Sequence, residues 1–135
     1  EADNTDINTG KLDKNGYISV AKRLTEKFNF KGVAITLRES LSANDNNWSG
    51  MLYTNGEVHF SKKYAMHIVD RVGGGDSFGG GLIYSLLNDC DAQKAIEFAV
   101  AASCLKHSVE GDYNMVSVSE VEALANGNAS GRVQR

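Results

Sequence analysis

The chemistry in this sequence concentrates where an acid follows three consecutive glycines, Gly73-Gly74-Gly75-Asp76. Consecutive glycines let the backbone take positive φ angles and come very close to a ligand. The stretch opens with an apolar, strand-like approach, Met66 to Val69, and passes Asp70, Arg71 and Val72 before the glycines. Beyond Asp76 it runs through Ser77, Phe78 and Gly79 to Gly81 into a helix-like segment, Leu82 to Leu87. A loop that opens a helix aims several unpaired N–H groups and the positive end of the helix dipole at one spot. That spot suits a phosphate or another developing negative charge. An acid there would repel a bound anion. It is better understood as a base that takes a proton from a group attacking the phosphate. The plainer alternative is a tight strand-to-helix turn with Asp76 as an ordinary cap.

Two familiar phosphate motifs fail on counting. A P-loop needs a lysine and a serine or threonine after its second glycine, and no lysine follows these glycines. The dinucleotide fingerprint G-x-G-x-x-G also fails, because Gly73 and Gly75 place Phe78 where the third glycine belongs.

At 135 residues the chain is one domain's worth of protein. Its 41% hydrophobic and 23% charged content is ordinary for a soluble globular domain. A net charge of −3 leaves no footprint for nucleic acid or an anionic membrane surface. No apolar run approaches the roughly 18–20 residues that span a bilayer. The chain begins at Glu1, no signal peptide is visible, and Cys90 and Cys104 share no metal spacing with His59, His67 or His107. Free thiols in a reducing cytoplasm are the expectation for that pair.

The elements that must position the glycine stretch can be read in order. Residues 1–12 form a polar loop or ragged end. From Asn15 to Phe28, the residues Ile18, Ala21, Leu24 and Phe28 recur at helical spacing. Gly32 to Leu37 is a short apolar run, as in a strand buried on both faces, and helix followed by such a strand suggests parallel, crossover-connected α/β architecture. Arg38 to Asn47 reads as a loop at the carboxyl end of that strand, where ligands bind in open α/β sheets. Trp48–Tyr53 and Glu57–Tyr64 read as strands joined by a hairpin at Asn55-Gly56. Ala65–Val69 is the strand leading into the glycines, and Phe78, Leu82, Ile83 and Leu86 share a face of the helix after them. Asp91 caps the next helix, Ala92 to about Leu105, whose Ala99, Ala101, Ala102 and Ser103 permit close approach of a neighbour. Glu110 to Asn114 is a polar turn. Ser117 to Glu120 fits a capping box for a short helix carrying Val121, Leu124 and Ala125 that stops at Gly127. Residues 128–135 read as a frayed tail.

Asp70 through Phe78 closely resembles the D-T-x-G-A-G-D-x-F signature of ribokinase-like (PfkB-type) sugar kinases. Within that family the chain looks like the 2-keto-3-deoxygluconate kinases. The likeness lies in Ala34 to Ser40, in Asn46 to Ser49, and in Leu105 to Ser108 followed by Gly111-Asp112. It covers nearly the whole chain but only the carboxyl-terminal part of the family's fold. The resemblance therefore implies an α/β three-layer sandwich with one β-hairpin, residues 1–135 forming the ATP-binding and catalytic part. The amino-terminal sugar-binding and lid part is absent. It implies transfer of the γ-phosphoryl of ATP, with Mg²⁺ on the nucleotide phosphates, to the 6-hydroxyl of the sugar acid.

Carried over by position, Asp76 matches the catalytic base that deprotonates the acceptor hydroxyl. The N–H groups of Gly73, Gly74, Gly75 and Asp76 match the anion hole for the transferring phosphoryl, as phosphoryl transfer by positioning and electrostatics requires. Thr36, Arg38 and Ser40 lie where the family holds the nucleotide. Asp112 lies where an acid stands near the sugar acid. Arg71 replaces the usual Thr, either pairing with Asp70 or touching a phosphate or the substrate. Arg38 follows Leu37 where T-L-G is usual, and Val100 occupies the place of a nucleotide-contacting Asn. Two other functions remain: a kinase for another sugar or a nucleoside, and a non-catalytic nucleotide-binding module.

Among lesser candidates, Trp48 reads as a packed strand residue and His59 and His67 as partly exposed side chains. His107 reads as a cation favoured by a helix C-terminus, and Asp89 and Asp91 as caps. The partners implied are a small sugar acid and ATP, without nucleic acid or membrane. A sheet cut through its middle leaves an exposed strand edge and an apolar face, which favours self-association, as in a homo-oligomer, or pairing with the missing half.

Overall fold

The structure, a computed structural model, describes residues 13–70, 72–108, 110 and 116–127. Arg71, Asp112, the first 12 residues, nearly all of the turn after Glu110 and the tail from Asn128 lie outside the described residues. The elements are α1 (Lys14–Phe28), β1 (Gly32–Ser40), β2 (Asp45–Thr54), β3 (Glu57–Phe60), β4 (Tyr64–His67), α2 (Gly74–Leu87), α3 (Ala92–His107) and α4 (Val118–Ala125).

Local capping chemistry sets several boundaries. The Asp13 carboxylate accepts from Gly16 N at 3.2 Å to start α1, which ends at Asn29 in the left-handed region. Asp91 accepts from Lys94 N at 2.8 Å to start α3. Ser117 Oγ accepts from Glu120 N and donates to the Glu120 carboxylate, each at 3.3 Å, to start α4. Asp89 does not cap a helix; it follows α2 with a left-handed φ of 56°. Lys62 closes α4 from outside, its ammonium donating to Ala125 O at 2.5 Å and Gly127 O at 3.3 Å.

β2 is the central strand. β1 runs along one edge from Gly32 opposite Thr54 to Ser40 opposite Asn46. The other edge is shared, β3 beside Met51–Thr54 and β4 beside Asp45–Trp48. The predicted strand Glu57–Tyr64 is thus divided at residues 61–63, where Ser61 N donates to Gly50 O at 2.9 Å and Ser61 Oγ accepts from Gly50 N at 2.9 Å. The predicted loop Arg38–Asn47 shrinks to residues 41–44, its flanks being paired strand. At the hairpin both Asn55 and Gly56 take positive φ, as a primed turn requires.

The expectation of parallel pairing is corrected here, since every pair of described strands is antiparallel. The links after β1 and β2 are too short for a crossover, which needs about a dozen residues or more. β1 also differs from the fully buried strand expected. Only Leu37 is buried along it, because β1 has one strand neighbour among the described residues.

Alternation along β1 and β2 builds two cores. Leu37 and Met51 point to one face, where Ala21 of α1 meets them with Tyr17, Ile18, Val33 and Ile35 packed around. The opposite face carries Trp48 and Leu52 against Phe78, Ile96, Ala99 and Val100 of α2 and α3. Helix, sheet and helices form three layers, the α/β sandwich the resemblance implied. On α2 the predicted face is only partly correct: Phe78 is buried, but Ile83 and Leu86 are exposed. The buried line is instead Phe78, Gly81 and Ser85. Phe28, at the end of α1, is likewise exposed and stacks on Phe30.

Candidate functional site

The glycine stretch forms the turn into α2. Asp70 Oδ1 accepts from Val72 N at 2.9 Å, bending the chain toward Gly73. Gly73 is the N-cap, with φ 80° and ψ −2°. A β-carbon is strained in that left-handed conformation, so glycine is the residue the turn needs. Gly74, Gly75 and Asp76 are the first three helical residues, whose N–H groups have no helical carbonyl to meet. Among the described residues no side chain caps this helix start. Asp76 is exposed, in the first turn, where an acid is favoured by the dipole.

Asp76, Gly80 and Tyr84, each one turn further along α2, line one wall of an open groove of about 310 Å³. Phe98 and Ala102 of α3 and Ser117, Val118 and Val121 at the start of α4 complete it, with Gly73 at its head. The ring of Tyr84 stacks on Phe98, centroids 5.3 Å apart. The groove is walled largely by apolar groups, with Asp76, Ser77, Ser117 and the Tyr84 hydroxyl as its polar side chains. α2 and α3 approach closely at its floor, where a β-carbon on Gly81 would lie 3.2 Å from Ala99 Cα and Ala102 Cβ. The small residues of α3 thus act as the sequence suggested.

Thr36, Arg38 and Ser40 are not in this groove. They are exposed along β1, opposite Gly50, Trp48 and Asn46 in register, and so share the sheet face covered by α2 and α3. On that face the amide of Asn46 and the indole nitrogen of Trp48 are buried and have no hydrogen-bond partner among the described residues. Trp48 is the packed residue expected. Its ring lies 4.9 Å from that of His107 in edge-to-face contact. Val100 is fully buried and would meet a β-carbon on Gly50 at 2.6 Å.

Ser103 and His107, expected from the sequence only as a small packing residue and a helix-end cation, form the support beneath the turn. Ser103 Oγ donates to Gly74 O at 3.0 Å inside the protein. His107 O accepts from Val69 N at 3.0 Å and Asp70 N at 3.2 Å. The signal for them was present as spacing, since Ser103 and His107 stand one helical turn apart. His107 stands at the C-terminus of α3 as expected, and it is buried there. His67 is the exposed side chain expected, with Nδ1 2.9 Å from Asp45 Oδ1, and that hydrogen bond holds the Asp45 carboxyl below its usual range. His59 sits 3.6 Å from Glu57. Among the described residues no cluster of three or more His, Cys, Asp or Glu side chains could hold a metal ion. No helix among them is long and apolar enough to cross a membrane.

The pfkB family carbohydrate kinase profile matches residues 9–118. A 2-dehydro-3-deoxygluconokinase from Thermotoga maritima, known from its crystal structure, is 55% identical, with a TM-score of 0.83 over 85% of this chain and 35% of its own. A PfkB family carbohydrate kinase from Listeria grayi is 31% identical, with a TM-score of 0.77 over 87% of this chain and 36% of its own. A 2-dehydro-3-deoxygalactonokinase from Haloferax volcanii is 26% identical over 113 residues, 84% of this chain and 33% of its own. The chain therefore spans about a third of the length of the relatives it matches. With a profile matched from before α1 into α4 and the signature turn at the head of α2, the chain belongs to the PfkB family of carbohydrate kinases.

Proposed function

We propose that residues 1–135 are the ATP-binding and catalytic part of a cytoplasmic sugar-acid kinase that phosphorylates 2-keto-3-deoxygluconate (2-dehydro-3-deoxygluconate) at its 6-hydroxyl. The observation that carries this reading is the turn into α2, which joins a left-handed Gly73, a run of helix-start N–H groups and an exposed Asp76 facing a groove. The carboxylate of Asp76 accepts the proton of the acceptor hydroxyl. The oxygen of that hydroxyl then bonds to the γ-phosphorus as the bond from that phosphorus to the β-phosphate oxygen breaks, releasing ADP. The N–H groups of Gly73, Gly74, Gly75 and Asp76 stabilise the negative charge on the transferring group. Mg²⁺ bound to the nucleotide phosphates would neutralise part of their charge. Thr36, Arg38 and Ser40 hold the nucleotide, Arg71 reaches a phosphate or the substrate, and Asp112 stands near the sugar acid. The amino-terminal sugar-binding and lid part is supplied by the rest of the enzyme.

The name of the Thermotoga relative favours the gluconate substrate, and that of the Haloferax relative gives the galactonate epimer as a second reading. The test is a coupled ADP-release assay on the enzyme completed with the amino-terminal part that its relatives carry. It offers 2-keto-3-deoxygluconate, 2-keto-3-deoxygalactonate, ribose, fructose and a nucleoside, beside calorimetric titration with ATP. The highest kcat/KM is expected for 2-keto-3-deoxygluconate. ATP binding without turnover on any acceptor would make the chain a nucleotide-binding module instead.

A further inference from the structure

His107 does more than end a helix. Its Nδ1 lies 2.7 Å from Ser103 O, and since a carbonyl only accepts, Nδ1 carries a proton. The ring is wedged against Trp48, and its opposite edge, Cε1 and Nε2, faces Gly74. A β-carbon on residue 74 would lie 2.5 Å from Cε1 and 2.6 Å from Nε2, closer than any side chain can sit. The same turn of α3 holds the loop on both sides, through Val69 and Asp70 N–H donating to His107 O and Ser103 Oγ donating to Gly74 O. The family signature carries Ala where this chain has Gly74.

We propose that His107, with Ser103, is a positioning residue for the phosphoryl-binding turn, and that its ring edge is the reason residue 74 has no side chain. The ring fixes how far the first turn of α2 can settle toward α3, and with it where the N–H groups of Gly74, Gly75 and Asp76 point. This rests on the kinase reading of the turn. A buried ring held by two neighbours yields little, so a new β-carbon displaces the turn instead. Displacements of about 1 Å at a phosphoryl site cost on the order of 10²-fold in rate.

The test is a double-mutant cycle in the completed enzyme, reading kcat, the KM for ATP and the melting temperature. His107→Asn keeps an amide nitrogen where Nδ1 meets Ser103 O but removes the edge against Gly74. Gly74→Ala alone is expected to lower kcat by about 10- to 100-fold with the KM for ATP little changed, the mark of an interaction made in the transition state. Adding His107→Asn should restore most of that loss, because the β-carbon then has room. If the double variant instead loses the product of the single losses, or if Gly74→Ala matches wild type, the proposal is wrong. Should His107→Asn not fold, Ser103→Ala decides: a fall in kcat without a matching rise in the KM for ATP supports it, and unchanged kcat overturns it. Asp76→Asn is run alongside. Wild-type turnover in that variant would remove the base reading, while the 74–107 coupling, read in melting temperature, would still decide this proposal.

Discussion

Cys104 and Cys90 are the same side chain in opposite surroundings. Cys104 is about 1% exposed in the core, and burial pushes its thiol well above the ordinary range, whereas Cys90 is partly open at the end of α2. The thiolate is the reactive form, so Cys104 should be inert while the protein is folded. Titration with a disulfide reagent is expected to find one reactive thiol in the native chain and a second on denaturation. Two fast-reacting thiols in the native chain would contradict the packing around α3. At this scale the sequence was most readable where the chemistry is local. Asp91, Ser117 with Glu120, and Asn55-Gly56 each act within a few residues of themselves, and each is where it was expected. His107 was not readable in that way. Its ring meets Gly74 and Trp48, residues remote in sequence, and a helix-end position explained it just as well without them.

Among elements, β1 shows most clearly what a linear pattern leaves undecided. Its apolar run fits a strand covered on both faces, and both faces do feed a core. Its burial depends on neighbours along the edge, which periodicity does not encode. Its side away from β2 has no strand partner among the described residues. The apolar side chains of Ile83, Leu86 and Leu87 on α2 are also exposed, Leu87 at 78%. Hydrophobic periodicity on α2 was diluted by its glycines, so the reading assigned Ile83 and Leu86 to the wrong face. An open strand edge beside uncovered apolar surface promotes pairing between chains. Sedimentation of the 135-residue chain is therefore expected to show concentration-dependent association with binding of an apolar dye. Thr36→Lys places a charge on the exposed side of β1 and should weaken it. A clean monomer that binds no dye would refute this.

For the molecule as a whole, the three-layer order brings the glycine turn, the small-residue face of α3 and the start of α4 around one groove. The family and the turn were legible because the signature is contiguous and chemically specific. The placement of Thr36, Arg38 and Ser40 outside the groove was not, because it depends on register across β1 and β2. Asp76 is the residue on which the proposed chemistry turns. The most direct test compares Asp76→Asn with wild type in the completed enzyme, measuring kcat for 2-keto-3-deoxygluconate together with ATP affinity. Loss of a general base at this position is expected to lower kcat by about 10²–10⁴-fold while ATP still binds with near wild-type affinity. Near-normal turnover in the Asn variant would contradict it.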